Sequence, residues 1–278
     1  MKINCLVIAL LLLTANMVFS QTETGSNNKT DASGLKQGTW EENTTTGVEK
    51  GTYLNGKKEG TWVSYTNKGN LAKLESFKNG LHEGISVEID QRGYLLSETY
   101  YENDLIEGVA KRYYYGSNPA SVITYHKGLK NGPYKVYYEN SAGKIMEESN
   151  YVNDIKDGMS KWYTIKGDLI AEYNYVMNSL EGVQKSYSEG NKLLSEQTYK
   201  NNLENGPYRE FFASGKVKME GSCTDGKKTG VWKEYTEDGK LFSEGSYVND
   251  LKDGKWVEYD ANGKTSKVTK FVKGEIVK

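Results

Sequence analysis

From Gly38 onward the chain alternates short segments rich in Tyr, Val, Ile and Thr with clusters of Gly, Asn and Asp. The segments are about six to eight residues long, which is strand chemistry bounded by turn residues. Nowhere does an apolar 3.6-residue period last three turns, so no helix is predicted beyond the apolar N-terminal run. The alternation is itself periodic. A glycine opens each repeat at Gly38, Gly60, Gly84, Gly108, Gly132, Gly158, Gly182, Gly206, Gly230 and Gly254. The spacing is 22 residues, then 24 in every later step except one of 26 between Gly132 and Gly158. The two additional residues there, Asn140 and Ser141, fall in a turn, where insertion is tolerated. Ten repeats of about 24 residues therefore cover 38–278.

Within a repeat, aromatic residues keep fixed places, counted from the opening glycine. Position +2 holds Trp40, Trp62, Tyr134, Tyr208, Trp232 and Trp256. Position +5 holds Tyr65, Tyr113, Tyr137, Tyr163, Tyr187, Phe211, Tyr235 and Tyr259. Position +17, corrected for repeat length, holds Tyr53, Phe77, Tyr101, Tyr125, Tyr151, Tyr175, Tyr199, Tyr247 and Phe271, with Cys223 as the exception. These columns contain 16 of the 22 tyrosines, so the tyrosine excess is one motif rewritten in each repeat.

The turns are as regular. Asn55-Gly56, Asn79-Gly80, Asn103-Asp104, Asn153-Asp154, Asp225-Gly226 and Asn249-Asp250 are pairs that accept positive φ and favour tight hairpin turns. The second turn carries glycine at +9, or Asn191 in one repeat, which predicts a left-handed residue there. Each repeat then reads as a β-hairpin. The series predicts an all-β, elongated, twisted antiparallel meander of roughly twenty strands, on the order of 95 Å long, without a globular core. A hairpin this small cannot bury its aromatics alone, so neighbouring rungs must stack ring on ring.

Tyr53, Asn55, Gly56, Gly60, Trp62, Tyr65 and Gly69 write out Tyr-x-Asn-Gly-x-x-x-Gly-x-Trp-x-x-Tyr-x-x-x-Gly. This string resembles the MORN repeat, in the bacterial variant that has an aromatic at +2 and is grouped with YwqK-type antitoxin-like repeat proteins. The likeness runs over 38–278, and departs most where Ser86, Ile89 and Ala110 replace aromatics. The resemblance implies an elongated, twisted antiparallel sheet used for binding or scaffolding, not catalysis.

The N-terminus changes the address. Met1-Lys2, an apolar run from Cys5 to Leu13 and a small Ser20 before Gln21 have the form of a secretory signal peptide over 1–20. The run is too short to span a bilayer, and no later segment could, so the mature chain is expected to be exported with no transmembrane segment. Residues 21–37 lack aromatics and any apolar period, and read as a flexible tether. Cleavage would leave Cys223 as the single cysteine, without a partner for a disulfide.

Composition mainly excludes. Two histidines and two cysteines leave no material for common zinc sites or a Ser-His-Asp hydrolase, so no metal, cofactor or catalytic residue is predicted. Lys+Arg 36 against Asp+Glu 37 lacks the footprint of a nucleic-acid binder. His82 and His126 occupy different repeat positions and read as surface residues, and Cys223 as a small filler in an aromatic slot.

Two charged columns remain. Position +3 is Lys111, Lys135, Lys161, Lys185, Arg209 and Lys233, and position +14 is Glu98, Glu148, Glu172, Glu196, Glu220 and Glu244. A four-residue loop at the second turn would set these columns opposite each other as cross-strand ion pairs, the favoured reading. A three-residue loop would put them on opposite faces and leave a positive stripe suited to an anionic polymer. A ladder of equivalent glutamates lacks the cleft and the split pKa values that glycoside hydrolysis needs. The predicted function is an exported, non-enzymatic repeat protein presenting a protein-binding or scaffolding surface. One alternative is a carbohydrate or cell-envelope polymer binder using Trp40, Trp62, Trp232 and Trp256, which requires those rings to be exposed. Another is an antitoxin-like partner of a toxin.

Overall fold

The computed structural model describes residues 27–277, so the signal peptide expected over 1–20 and the segment 21–26 lie outside the described residues. The chain divides into two compact units, one ending at Ser117 and one beginning at Asn118. Both are antiparallel β-meanders, and a single 3-10 turn among the described residues, Tyr115–Ser117, ends the first. Each repeat is a hairpin, for example Lys57–Thr66 with Leu71–Lys78 and Gly182–Ser188 with Lys192–Lys200. Among the described residues there are 25 strands, more than the repeat count alone predicts. Three repeats have a strand split before the opening glycine, where Leu105–Ile106, Ile155–Lys156 and Ser179–Leu180 stand apart. Short strands at Lys29–Thr30 and Glu275–Val277 supply the rest.

The tight turns have positive φ at both loop residues: 50° and 75° at Asn55 and Gly56, 49° and 66° at Asn153 and Asp154. This geometry matches the right-handed twist of the strands it joins, which is why Asn-Gly and Asn-Asp recur there. Successive tight turns are also tied together. Asp154 donates its N–H to the Lys130 carbonyl at 2.9 Å and accepts the Lys130 N–H on its carboxylate at 2.8 Å. Asp250 holds Lys228 in the same way, at 3.1 and 2.8 Å. An acid or amide in the turn thus satisfies backbone groups of the neighbouring hairpin.

The second turn decides which residues share a face. In the repeat opened by Gly158, the Thr164 N–H donates to the Asp168 carbonyl at 2.7 Å across a three-residue loop. By itself that loop would separate the Lys and Glu columns. One residue of the returning strand, Ile170 at +12, is bulged out: Tyr163 pairs with Leu169, but Trp162 pairs with Ala171. The bulge advances the register by one, and Lys161 comes to face Glu172. The same shift recurs in the repeats opened by Gly60, Gly84, Gly182, Gly206, Gly230 and Gly254. The loop has three residues, yet the columns share one face.

The reading of 21–37 as a tether needs correction over its described part. Lys29 and Thr30 pair with Gln37 and Lys36, and the Asp31 carboxylate caps the N–H groups of Ser33 and Leu35 at 2.8 and 3.0 Å. An Asp-x-x-Gly turn, Asp31 to Gly34, folds this segment back over the first strand edge.

Burial is arranged within the sheet. Trp62, Trp232 and Trp256 are only 2, 3 and 8% exposed. Each indole lies across a glycine of the preceding strand: a Cβ built on Gly51, Gly221 or Gly245 would come within 2.2 Å of the ring. The indole N–H donates to the carbonyl of Thr52, Ser222 or Ser246 at 3.1–3.2 Å. Tyr53 and Tyr247 stand edge-on to Trp62 and Trp256, with centroids 4.9 and 5.1 Å apart. Lysines two residues before the opening glycine roof the rings, with the Nζ atoms of Lys58, Lys228 and Lys252 at 4.1, 4.3 and 3.9 Å from the centroids. Glycine floor, backbone acceptor, edge-on ring and cationic roof let a small hairpin bury a large ring.

Candidate functional site

Strand alternation puts +1, +3 and +5 on one face and +2 on the other. On the +3 face the second unit carries an unbroken ladder. Lys135, Glu148, Lys161, Glu172, Lys185, Glu196, Arg209, Glu220, Lys233 and Glu244 each stand in register with the next. Ion pairs close at 2.8 Å for Lys135–Glu148 and Lys161–Glu172, and at 3.7 Å for Lys185–Glu196 and Arg209–Glu220. In the first unit Lys111 pairs with Glu98 at 3.0 Å, whereas Val63, Leu74 and Val87 occupy the corresponding positions and are buried.

The +5 tyrosines complete four of the five rungs, and Phe211 takes that place beside Glu196. Tyr163, Tyr187, Tyr235 and Tyr259 donate their hydroxyls to Glu148, Glu172, Glu220 and Glu244 at 3.0, 2.6, 2.7 and 2.8 Å. The hydrogen bond from Lys135 holds the Glu148 carboxyl below the usual range, and that from Lys161 does the same for Glu172. Burial, ahead of the bond to Glu220, pushes the Tyr235 hydroxyl up to about 12. The basic column Lys111, Lys135, Lys161, Lys185, Arg209 and Lys233 is therefore interleaved with acids and is no bare positive stripe. An Ala double-mutant cycle at Lys161 and Glu172 is expected to give a coupling of about 0.2–1 kcal/mol, as for exposed cross-strand pairs. Urea unfolding of the four variants measures it, and zero coupling would mean the pair is only geometric.

The four tryptophans proposed as sugar contacts do not offer four open faces. Trp62, Trp232 and Trp256 are buried, and Trp40 is half-buried between Lys36 and Tyr53, with centroid distances of 4.7 and 5.7 Å. Sequence reasoning missed two partners of these rings. One is the lysine column Lys36, Lys58, Lys130, Lys156, Lys228 and Lys252, visible as Lys-x-Gly at the start of six repeats. The other is the floor. Tryptophan occurs at +2 after a glycine at the +15 position of the repeat before it, as in Gly51–Trp62, Gly221–Trp232 and Gly245–Trp256. Where that floor is Glu75, Thr99 or Ser149, the facing residue is Ser86, Ala110 or Ser160.

Single groups that could carry chemistry are used structurally. His82 is a half-buried residue in the lysine column, not a plain surface histidine. Its ring lies 4.5 Å from Phe77 and 5.2 Å from Tyr101, and its nitrogens meet Glu75 and Asp104 at 2.9 and 3.0 Å. Cys223 is 3% exposed, and burial pushes its thiol up to about 11, away from the thiolate a nucleophile needs. Among the described residues no cluster of three His, Cys, Asp or Glu side chains could hold a metal ion, and no helix is long and apolar enough to cross a membrane. A surface cleft of about 600 Å³ is lined by Glu41, Lys50, Tyr65 and Gly69, but its Glu41 is paired with Lys50 at 2.9 Å.

Apolar side chains are nevertheless exposed in rows. Along the tight-turn edge of the second unit, Leu129, Val152, Ile155, Val176 and Leu203 are 41–51% exposed. On the charged face, at +1, Pro133, Met159, Val183, Pro207 and Val231 are all exposed.

The family follows from this architecture. The MORN repeat variant matches residues 58–79, 130–153, 180–201, 204–222, 228–249 and 252–271, and the chain belongs to the MORN repeat family in this variant form. The unmatched stretches 80–129 and 154–179 include Ser86, Ala110 and Ser160, where the +2 ring is missing. No curated protein matches the chain. Among solved structures it is similar to part of TcdB2-TccC3 without its hypervariable C-terminal region, at 13% identity and a TM-score of 0.22, over 84% of this chain and 14% of that one. It is also similar to part of TcdB2-TccC3-TEV, at 11% identity and a TM-score of 0.20, over 87% of this chain and 15% of that one. Likenesses this loose carry no argument about the fold or function here.

Proposed function

We propose that this chain is an exported, non-enzymatic repeat protein that binds another protein along the edge built by its tight turns. The row Leu129, Val152, Ile155, Val176 and Leu203 carries the proposal, because exposed aliphatic side chains that recur three residues before the opening glycine and at +18 suit a protein surface. Two features support the absence of catalysis. The ladder glutamates stand between basic neighbours on an open sheet face, and Glu148 and Glu172 are held in their charged form, so neither is a proton-holding acid. Buried tryptophans favour a protein partner over a sugar chain, since ring stacking needs an open face. The signal-peptide form of residues 1–20 supports export.

Capture of the C-terminally tagged full chain from the envelope fraction of its own cell, followed by mass spectrometry, tests both parts. The expected N-terminus is Gln21, and the expected catch is a defined protein partner. Replacing Val152, Ile155, Val176 and Leu203 by Ser should release that partner while circular dichroism stays unchanged. An intact Met1 in the cytosol would remove the export reading, and a catch indifferent to the four substitutions would remove the edge.

A further inference from the structure

The ladder of the second unit has a symmetry that a list of ion pairs conceals. Its ten positions alternate strictly in sign, from Lys135 at one end to Glu244 at the other. An alternating series of even length, read backwards, is its own complement. Turned about a line between Lys185 and Glu196, Lys135 falls on Glu244, Glu148 on Lys233, Lys161 on Glu220, Glu172 on Arg209 and Lys185 on Glu196.

The neighbouring column obeys the same rule in size. Exposed Pro133, Met159, Val183, Pro207 and Val231 pair across the strands with Asn150, Asn174, Thr198, Ser222 and Ser246. The same rotation brings Met159 over Ser222, Val231 over Asn150 and Val183 over Thr198, so larger apolar groups meet smaller polar ones. The bases on this face keep 38–54% of their side-chain surface exposed from Lys135 to Arg209.

We propose that this face of the second unit packs against the same face of a second copy of the chain, about a two-fold axis parallel to the strands and passing between Lys185 and Glu196. The charge pattern selects that axis. A two-fold along the ladder instead would put Lys on Lys and Glu on Glu, which is strongly disfavoured. The extent is adequate: ten strands at roughly 4.8 Å and five residues at roughly 3.3 Å give about 800 Å² per partner, the size of a standard specific interface. The +1 residues supply apolar burial, and the charges, paired within each chain from Lys135 to Glu220, set orientation and register. This goes beyond the function proposed above, which concerns the turn edge, and does not rest on it.

Charge swaps within single rungs test the axis. In the full chain, Lys161→Glu with Glu172→Lys keeps the rung paired but sets like charges against Glu220 and Arg209 of the other copy. Arg209→Glu with Glu220→Arg does the same from the other side. Sedimentation velocity at tens of micromolar should show a dimer for the unmodified chain. Each double variant should self-associate roughly hundredfold or more weakly, as direct like-charge contacts cost several kcal/mol. An equimolar mixture of the two should dimerise again, because every rung then faces its opposite. Circular dichroism confirms that both variants fold. A monomeric unmodified chain, variants that dimerise as well as it does, or a mixture that stays monomeric would each overturn the proposal.

Discussion

Gly245→Val is expected to destabilise the C-terminal repeats by about 3–5 kcal/mol, as much as deleting the indole that lies on it. Gly245 does not adopt a positive φ, so its backbone accepts a side chain. What forbids one is Trp256, 2.2 Å from the Cβ position. A side chain there must displace the ring, and displacement breaks the indole bond to the Ser246 carbonyl and the contacts to Tyr247 and Lys252. Trp256→Ala alone should fall in the same range. The informative variant combines them: with the ring gone, valine occupies vacated space, and the combined loss should be smaller than the sum by about 1–3 kcal/mol. Urea midpoints of the four proteins decide it, and simple additivity would show that floor and ring are not one element.

Alkali should unfold the protein steeply. Twelve tyrosines hold their protons above the ordinary value near 10: Tyr53, Tyr113, Tyr134, Tyr151, Tyr163, Tyr175, Tyr187, Tyr199, Tyr208, Tyr235, Tyr247 and Tyr259. Burial is the leading cause in all but Tyr259, where the bond to Glu244 leads. A folded-state pKa above the unfolded value means the unfolded chain releases its proton first. The associated stability is complete below pH 10 and is lost as pH rises through the folded values, about 12 for Tyr235. Because the shifts share one sign, their slopes add. Phenolate absorbance and loss of β-structure should therefore rise together above pH 10. A gradual titration centred at 10, with circular dichroism unchanged, would contradict this. The acid limb has the opposite sign: Glu42, Glu148 and Glu172 lie below 4.5 in the folded state, so their contribution is lost as pH falls below that value.

Much of the fold was legible because a repeat displays each local decision many times. Asn55-Gly56 is one dipeptide, but its analogues at nearly every repeat boundary leave little room except for a hairpin. The aromatic columns predicted ring-on-ring packing, and Tyr53 against Trp62 is such a contact. Less legible were groups recognised by what lies beside them. A glycine at +15 looks like a weak strand residue until the indole of the next strand is laid across it. Lys58 before Gly60 looks like a solvated charge until its amine is placed over the Trp62 ring. His82 gave no signal because its role depends on Phe77, Tyr101, Glu75 and Asp104 converging from separate parts of the chain.

The sequence by itself determined the period, the hairpins, the tight turns and the membership of the aromatic and charged columns at +2, +3, +5, +14 and +17. It did not determine which columns share a face. That depended on Ile170 and its equivalents leaving the ladder as a bulge, behind a loop that alone would have separated Lys161 from Glu172. Side chains along a strand alternate with period two, so one unpaired residue transfers everything beyond it to the opposite face. Only the tertiary structure records that displacement, and it turned two columns of like charge into one alternating ladder.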